Sequence, residues 1–250
     1  MTRAGKALAT LALAALWTFS VPGHAEIQAG ASSVADDEAP YTLLDTEGNV
    51  LTMRGGRIWP GDEYIAGDDR WYRVATVDDA ARTATAEYLG VSGPDEGAVS
   101  AFATGKSDGG KGGKLIAMYS THSDESYVPD DGTASKWKDA GIYDVGDSLK
   151  EALEDQGIET VYSKETFLPH DADAYTRSRR TAEELLKQDP DALLDIHRDA
   201  VPAEQYETRV VGEDISKVRL FVGRTNQNAS ENRAFARQIK AEAEIGRAHV

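Results

Sequence analysis

Between residues 41 and 90, short stretches of alternating apolar and polar side chains are separated by turn-forming clusters such as TEGN, PGDE and GDDR. Strict alternation is typical of strands with one buried face, and turn clusters at intervals of about 8 to 12 residues are typical of antiparallel sheets. This region is therefore predicted to form a small antiparallel β-module at residues 41–91.

From residue 114 onward, apolar runs alternate with amphipathic stretches, as strands separated by helices do. Strands are predicted at residues 115–120, 158–162 and 192–196, with a hairpin or consecutive strands around 210–211 and 218–222. Helices are predicted at residues 144–156, 173–188 and 230–243. Because crossover helices join parallel strands, the pattern predicts an α/β fold with a mostly parallel sheet and helices on both faces.

The two ends of the chain and the segment between these two regions differ in composition from the regions themselves. Arg3 and Lys6 precede an apolar run that is too short to span ~30 Å of hydrocarbon comfortably, so a cleaved signal peptide is favoured over a membrane anchor. The predicted segments are a signal peptide at 1–25, a disordered lead-in at 26–40, a flexible linker at 92–113, an α/β domain at 114–243 and a sequencing-adapter remnant at 244–250. This places the mature protein outside the cytoplasm, in the cell envelope, with an anchor as the alternative.

The charge and the absence of cysteine narrow the chemistry. The 43 acidic and 27 basic residues give a net charge of −16, which argues against nucleic acid as a partner. With no cysteine in the chain, disulfides and thiolate metal sites are excluded, so a metal would need His, Asp and Glu ligands.

Two apolar runs each end on a histidine. LIAMYS leads to His122 with Glu125 three positions later, and ALLDI leads to His197. The carboxyl ends of parallel strands are where ligands bind in such folds, so these three side chains could converge as the two imidazoles and one carboxylate of a catalytic Zn²⁺ site. The alternative is that the histidines are hydrogen-bonded structural residues and that Glu125 is a solvated or capping carboxylate.

Other polar residues near these motifs have open roles. His170 could complete the metal shell, bind substrate or cap the following helix. Arg177 and Arg180 lie one turn apart, so they could bind a substrate carboxylate or form salt bridges on the helix surface. Arg198 and Asp199 follow His197 directly, which suggests that they orient it, and Arg198 is also a candidate for substrate binding.

Four motifs, THSDESY, DVGDSLKEALEDQGI, HDADAYTRSRRTAEELL and DIHRDA, resemble in order and spacing the stage II sporulation protein P family of zinc-dependent N-acetylmuramoyl-L-alanine amidases. The resemblance covers about residues 115–243. It implies a fold related to the type three cell-wall amidases, with Zn²⁺ held by His122 and His197 and with Glu125 as the third ligand.

The resemblance also implies a function in cell-wall remodelling during sporulation-type engulfment. The expected reaction is cleavage of the amide between N-acetylmuramic acid and the L-alanine of the stem peptide, with endopeptidase activity added in some members. Peptidoglycan is the expected partner, and a lytic transglycosylase of the stage II sporulation protein D type is a candidate partner protein.

One part of the family pattern is not found. Family members carry a catalytic glutamate in a Leu-Ile-Glu-Val-Gly-like strand near the C-terminus, and no such motif follows Ala243. The chain is therefore expected to be C-terminally truncated and impaired in activity, unless Glu125 is the catalytic residue and not a ligand. The alternative function is that of a non-catalytic peptidoglycan-binding envelope protein.

Overall fold

The computed structural model describes residues 39–92, 114–210 and 213–248, with the backbone alone at 210, 213 and 242–248. The strands are β1 (Tyr41–Asp45), β2 (Val50–Arg54), β3 (Glu63–Ile65), β4 (Arg70–Asp78), β5 (Thr83–Val91), β6 (Leu115–Tyr119), β7 (Glu159–Tyr162), β8 (Ala192–Asp195), β9 (Glu207–Val210) and β10 (Glu213–Ser216). The helices are α1 (Val128–Asp131), α2 (Gly141–Asp155), α3 (Ala174–Leu186) and α4 (Ala229–Ala248), with a 3₁₀ turn at Ala203–Gln205. The predicted signal peptide and nearly all of the predicted lead-in and linker lie outside the described residues.

The chain divides into two compact units. Among the described residues, one unit contains residues 39–92 together with Asp199–Gln205, and the other contains 114–198 and the part that follows residue 205. No helix in the described ranges is long and apolar enough to cross a membrane.

The first unit is a five-stranded sheet with the order β2-β1-β5-β4-β3. Alternation along β4 and β5 buries Tyr72, Val74, Ala84 and Ala86 in one apolar cluster, as the sequence pattern predicted. The prediction of a purely antiparallel module was wrong in one pair, because β1 and β5 run parallel while the other neighbours are antiparallel. β1 and β5 are distant along the chain, so no hairpin turn forces them to be antiparallel.

The second unit contains a three-stranded parallel sheet with the order β7-β6-β8. Because side chains alternate along a strand, β6 contributes to two apolar clusters. Met118 packs with residues of α2 and α4, whereas Ala117 and Tyr119 pack with residues of α3. β6 is thus packed on both faces, and its last three residues are buried, which explains its continuous apolar run.

These observations confirm a mixed α/β fold, although the mostly parallel sheet that the sequence predicted is limited to three strands. β9 and β10 form a separate antiparallel pair. The second predicted hairpin strand was misplaced, because β10 ends at Ser216 and residues 218–222 form no strand in the structure as described.

The helix boundaries follow local chemistry. α2 begins three residues before its predicted start, where the Ser126 hydroxyl accepts a hydrogen bond from the Gly141 N–H. It is followed, as predicted, by Gly157 in the left-handed conformation with φ of 77°. α4 runs to Ala248, so its predicted end at residue 243 was wrong. The adapter origin of residues 244–250 stays a prediction.

Candidate metal centre

The parallel pairing of β6 with β8 brings His122 and His197 together. Tyr119 is the register partner of Asp195, so the segments that follow both strands leave the sheet side by side. The Thr121 N–H donates to Asp195 Oδ1 at 2.8 Å and fixes this junction. The two imidazole rings then meet edge to face with their centroids 4.9 Å apart.

Glu125 reaches the same point from a tight turn after His122. The Glu125 N–H donates to the His122 carbonyl at 3.1 Å, and Glu125 pairs with Ser135 in an isolated antiparallel bridge. Its Oε1 lies 3.1 Å from His122 Nδ1 and 3.6 Å from His197 Nδ1. Its Oε2 accepts a hydrogen bond from the Arg198 N–H. The buried carboxylate is thus held on both oxygens.

These three side chains fit a metal ion. They are buried, and each has a ligand atom within 4.8 Å of one in the other two. Two ligands at tetrahedral positions with Zn–N and Zn–O distances of about 2.0 to 2.2 Å would lie roughly 3.3 to 3.6 Å apart, which is close to the 3.1 and 3.6 Å observed. Nε2 of His122 is buried and has no hydrogen-bond partner among the residues that the structure describes. The ring therefore has a polar atom that these residues leave unused, whichever of its two nitrogens faces the ion.

The electrostatics of the cluster favour the ligand form of two of its members. Burial lowers the pKa of His122, which favours the neutral imidazole. Burial acts to raise the pKa of Glu125, but the imidazoles of His122 and His197 outweigh it and hold that pKa far below its usual range. Burial also lowers the pKa of His197, yet the charge of Asp195 raises it well above its usual value, so a proton must leave His197 before it can bind a cation.

Asp195, which was not predicted as a site residue from the sequence, lies behind His197. It is fully buried, and its Oδ2 accepts a hydrogen bond from the Thr121 hydroxyl at 2.6 Å and lies 3.0 Å from His197 Nε2. This last contact lacks the alignment of a hydrogen bond and is electrostatic. The Thr121 hydroxyl also contacts that of Ser178 on α3 at 2.8 Å. Alternation along DIHRD places both Asp195 and Asp199 on the side of His197, so this signal marks Asp195 as a candidate without distinguishing it from Asp199.

Asp199 was expected to orient His197. Its Oδ1 instead accepts a hydrogen bond from the Gly55 N–H at 2.6 Å, and Asp199 belongs to the same compact unit as Gly55. The contact expected of Asp199 is therefore made by Asp195.

The other candidate residues fall into three positions. Arg177 donates to the carbonyls of Phe167 and Pro169 and pairs with Asp171, so its guanidinium fastens a loop. Arg180 is exposed and pairs with Glu165. The Arg198 side chain donates to the Ala134 carbonyl at 3.3 Å.

His170 lies beside the cluster without belonging to it. Its ring stacks on that of His122 with 4.0 Å between the centroids. Tyr175 meets the His122 ring edge-on at 5.2 Å. Tyr175 was not predicted as a site residue, because no local pattern in the sequence distinguishes it from other helix-surface tyrosines.

The model of the stage II sporulation protein P family matches residues 74–245, a range that includes His122, Glu125 and His197. The chain belongs to this family. Stage II sporulation protein P of Bacillus subtilis strain 168 is 27% identical over 140 residues, which cover 50% of this chain and 35% of that relative. No solved structure gives a significant match to the chain.

The family is associated with sporulation and with peptidoglycan hydrolysis. The chain spans about a third of the length of the relative from Bacillus subtilis.

Proposed function

We propose that this member of the stage II sporulation protein P family is a zinc-dependent N-acetylmuramoyl-L-alanine amidase that acts on peptidoglycan. The observation that carries the proposal is the buried cluster of His122, Glu125 and His197, which has the two-histidine, one-carboxylate composition of catalytic zinc sites. A fold related to the type three cell-wall amidases is part of the same proposal.

His122, Glu125 and His197 would hold the zinc. When bound, Zn²⁺ would polarise the scissile carbonyl and lower the pKa of the attacking water. The contacts of Glu125 favour a ligand role over that of a proton acceptor, because Oε1 faces both imidazoles and Oε2 accepts from the Arg198 N–H.

The surrounding residues keep the ligands in place. Asp195, which is itself fixed by Thr121, lies against His197 and resists rotation of that imidazole. The bridge between Glu125 and Ser135 fixes the backbone that carries the carboxylate. Arg180 and Arg198 remain the proposed contacts to the stem peptide. Arg177 instead holds the loop of Phe167 in place by donating a hydrogen bond to the carbonyl of that residue.

The experiment that tests this function combines metal analysis with product analysis. Zinc-loaded protein is incubated with purified sacculi, and the soluble products are identified by mass spectrometry. Amidase activity yields glycan strands without stem peptides and peptides with a free L-alanine amino terminus. His122→Ala and His197→Ala should abolish both bound zinc and product, whereas Arg179→Ala, an exposed residue paired with Glu183, should alter neither.

Two results would contradict the amidase. Binding of sacculi without turnover by zinc-loaded protein would identify a peptidoglycan-binding envelope protein. Products cut only within the stem peptide would identify an endopeptidase.

The proposal includes the site of action and a protein partner. Export through the segment at residues 1–25 would place the mature protein in the cell envelope, with Glu26 as its first residue. Mass measurement of the amino terminus in the envelope fraction tests this, and an intact Met1 embedded in the membrane would contradict it.

A lytic transglycosylase of the stage II sporulation protein D type is the proposed partner, and co-purification from the envelope tests that association.

A further inference from the structure

His170 lies face to face with His122, next to the ligand cluster. The two rings are 4.0 Å apart between centroids and inclined by 29°. The lone pairs of an imidazole lie in the ring plane, so a stacked ring presents its face, and not a nitrogen, to its neighbour. His170 Nδ1 also lies 3.0 Å from Asp124 Oδ1. Both facts argue against His170 as a fourth ligand.

Asp124 is a fixed support for this contact. It is buried, and its Oδ2 accepts a hydrogen bond from the Ser135 hydroxyl at 2.5 Å. Its backbone carbonyl accepts a hydrogen bond from the Lys136 N–H at 2.8 Å. Because the carboxylate is held through its second oxygen, it can hold the ring of His170 through the first.

The loop that carries His170 is held from two sides. The Phe167 N–H donates to the Ser123 hydroxyl at 3.0 Å, which joins the loop to the segment between His122 and Glu125. Arg177 on α3 donates to the Phe167 carbonyl at 2.7 Å and to the Pro169 carbonyl at 2.5 Å. These contacts hold His170 without involving the side chain of His122, so the ring of His170 can restrain that side chain.

We propose that His170, oriented by Asp124, is a positioning residue that holds the imidazole of His122 in its metal-binding orientation. The inference rests on the proposed zinc site. A ring stacked on His122 opposes rotation about the bond that joins that imidazole to its Cβ, and the loss of such support typically costs 10- to 100-fold in metal affinity.

The test measures metal binding directly. The affinity for Zn²⁺ is determined by competition with a chromophoric chelator, and the ligand geometry by the visible absorption of the Co²⁺-substituted protein. His170→Ala should weaken Zn²⁺ binding about 10- to 100-fold and change the Co²⁺ spectrum. His170→Phe keeps a stacked ring and should recover most of the affinity. Asp124→Asn keeps an acceptor oxygen and should have a smaller effect than His170→Ala. Arg179→Ala on α3 should match the wild type.

Other results would overturn the inference, the proposed function or both. Wild-type affinity and spectrum in His170→Ala would show that His122 needs no such support, and loss of metal as complete as in His122→Ala would make His170 a ligand. A higher KM on sacculi with an unchanged Co²⁺ spectrum would make His170 a substrate-binding residue. A wild-type protein that binds neither metal would overturn the proposed function together with the inference, whereas metal binding without amidase products would overturn the function alone.

Discussion

Asp195 Oδ2 lies 3.0 Å from His197 Nε2. Asp195 is the last residue of β8, which pairs with β6, the strand that leads to His122. Asp195→Asn removes the negative charge while preserving the size of the side chain. We expect this change to weaken zinc binding about 10- to 100-fold, because the carboxylate holds the imidazole in its orientation.

The matched control for this prediction is Asp199→Asn. Asp199 has the same side chain and lies two residues beyond His197, but it bonds to the Gly55 N–H. Zinc affinity is measured for both variants by competition with a chelator, and thermal unfolding confirms that both are folded. Equal affinities in the two variants would remove Asp195 from the site.

Ile196 should be a major contributor to stability. It lies between Asp195 and His197, is fully buried, and belongs to the apolar cluster that contains Met118 and Leu194. Ile196→Ala should lower the free energy of unfolding by about 2 to 5 kcal/mol, through lost apolar burial and the cavity left behind. Urea denaturation measures this change. Val128→Ala, at a side chain that is 59% exposed, should change it by less than about 0.5 kcal/mol.

Gly146 is required by the packing of α2 on β7. A Cβ at this position would overlap the phenol ring of Tyr162. Gly146→Ala should therefore destabilise the protein by about 1 to 3 kcal/mol, whereas Gly223→Ala, with nothing within 4 Å of its Cβ, should have little effect. In the background of Tyr162→Ala, the cost of Gly146→Ala should largely disappear in chemical denaturation. Strict additivity of the two changes would contradict the overlap.

The acid titration of the β-rich unit should depend on Asp79. Hydrogen bonds from Arg57 and Tyr41 lower the pKa of its carboxyl to about 2 from an ordinary value of 3.8. Since the folded pKa is the lower one, the stabilisation is fully present above about pH 3.8 and is lost as the pH falls through about 2. Arg57→Gln should move the midpoint of Asp79, measured by NMR of the carboxyl carbon, upward toward 3.8. In Arg70→Gln, which removes the partner of Asp68, the midpoint of Asp79 should stay at about 2.

The sequence predicted the parts of this protein that depend on a single local pattern. The apolar runs of β6 and β8 identified two buried strands, and the histidines beyond them lie together in the structure. Contacts between segments that are distant along the chain could not be predicted from such a local pattern. Asp199 and Asp195 are equally near His197 along the chain, yet only the pairing of β6 with β8 decides which of them lies against its ring. The parallel pairing of β1 with β5 and the stacking of His170 on His122 are of the same kind.

The contact between Thr121 and Asp195 joins positions 74 residues apart. This separation determines the order of folding and metal binding. His122 and Glu125 are near neighbours in any conformation of the chain, but His197 joins them only after β6 and β8 have paired. Of these three ligands, an unfolded chain keeps only the local pair close together, so tight binding at this site must follow assembly of the sheet. Only molecules in which β6 and β8 have paired would then bind a metal ion tightly. The metal content of a preparation would therefore report the fraction of correctly folded protein.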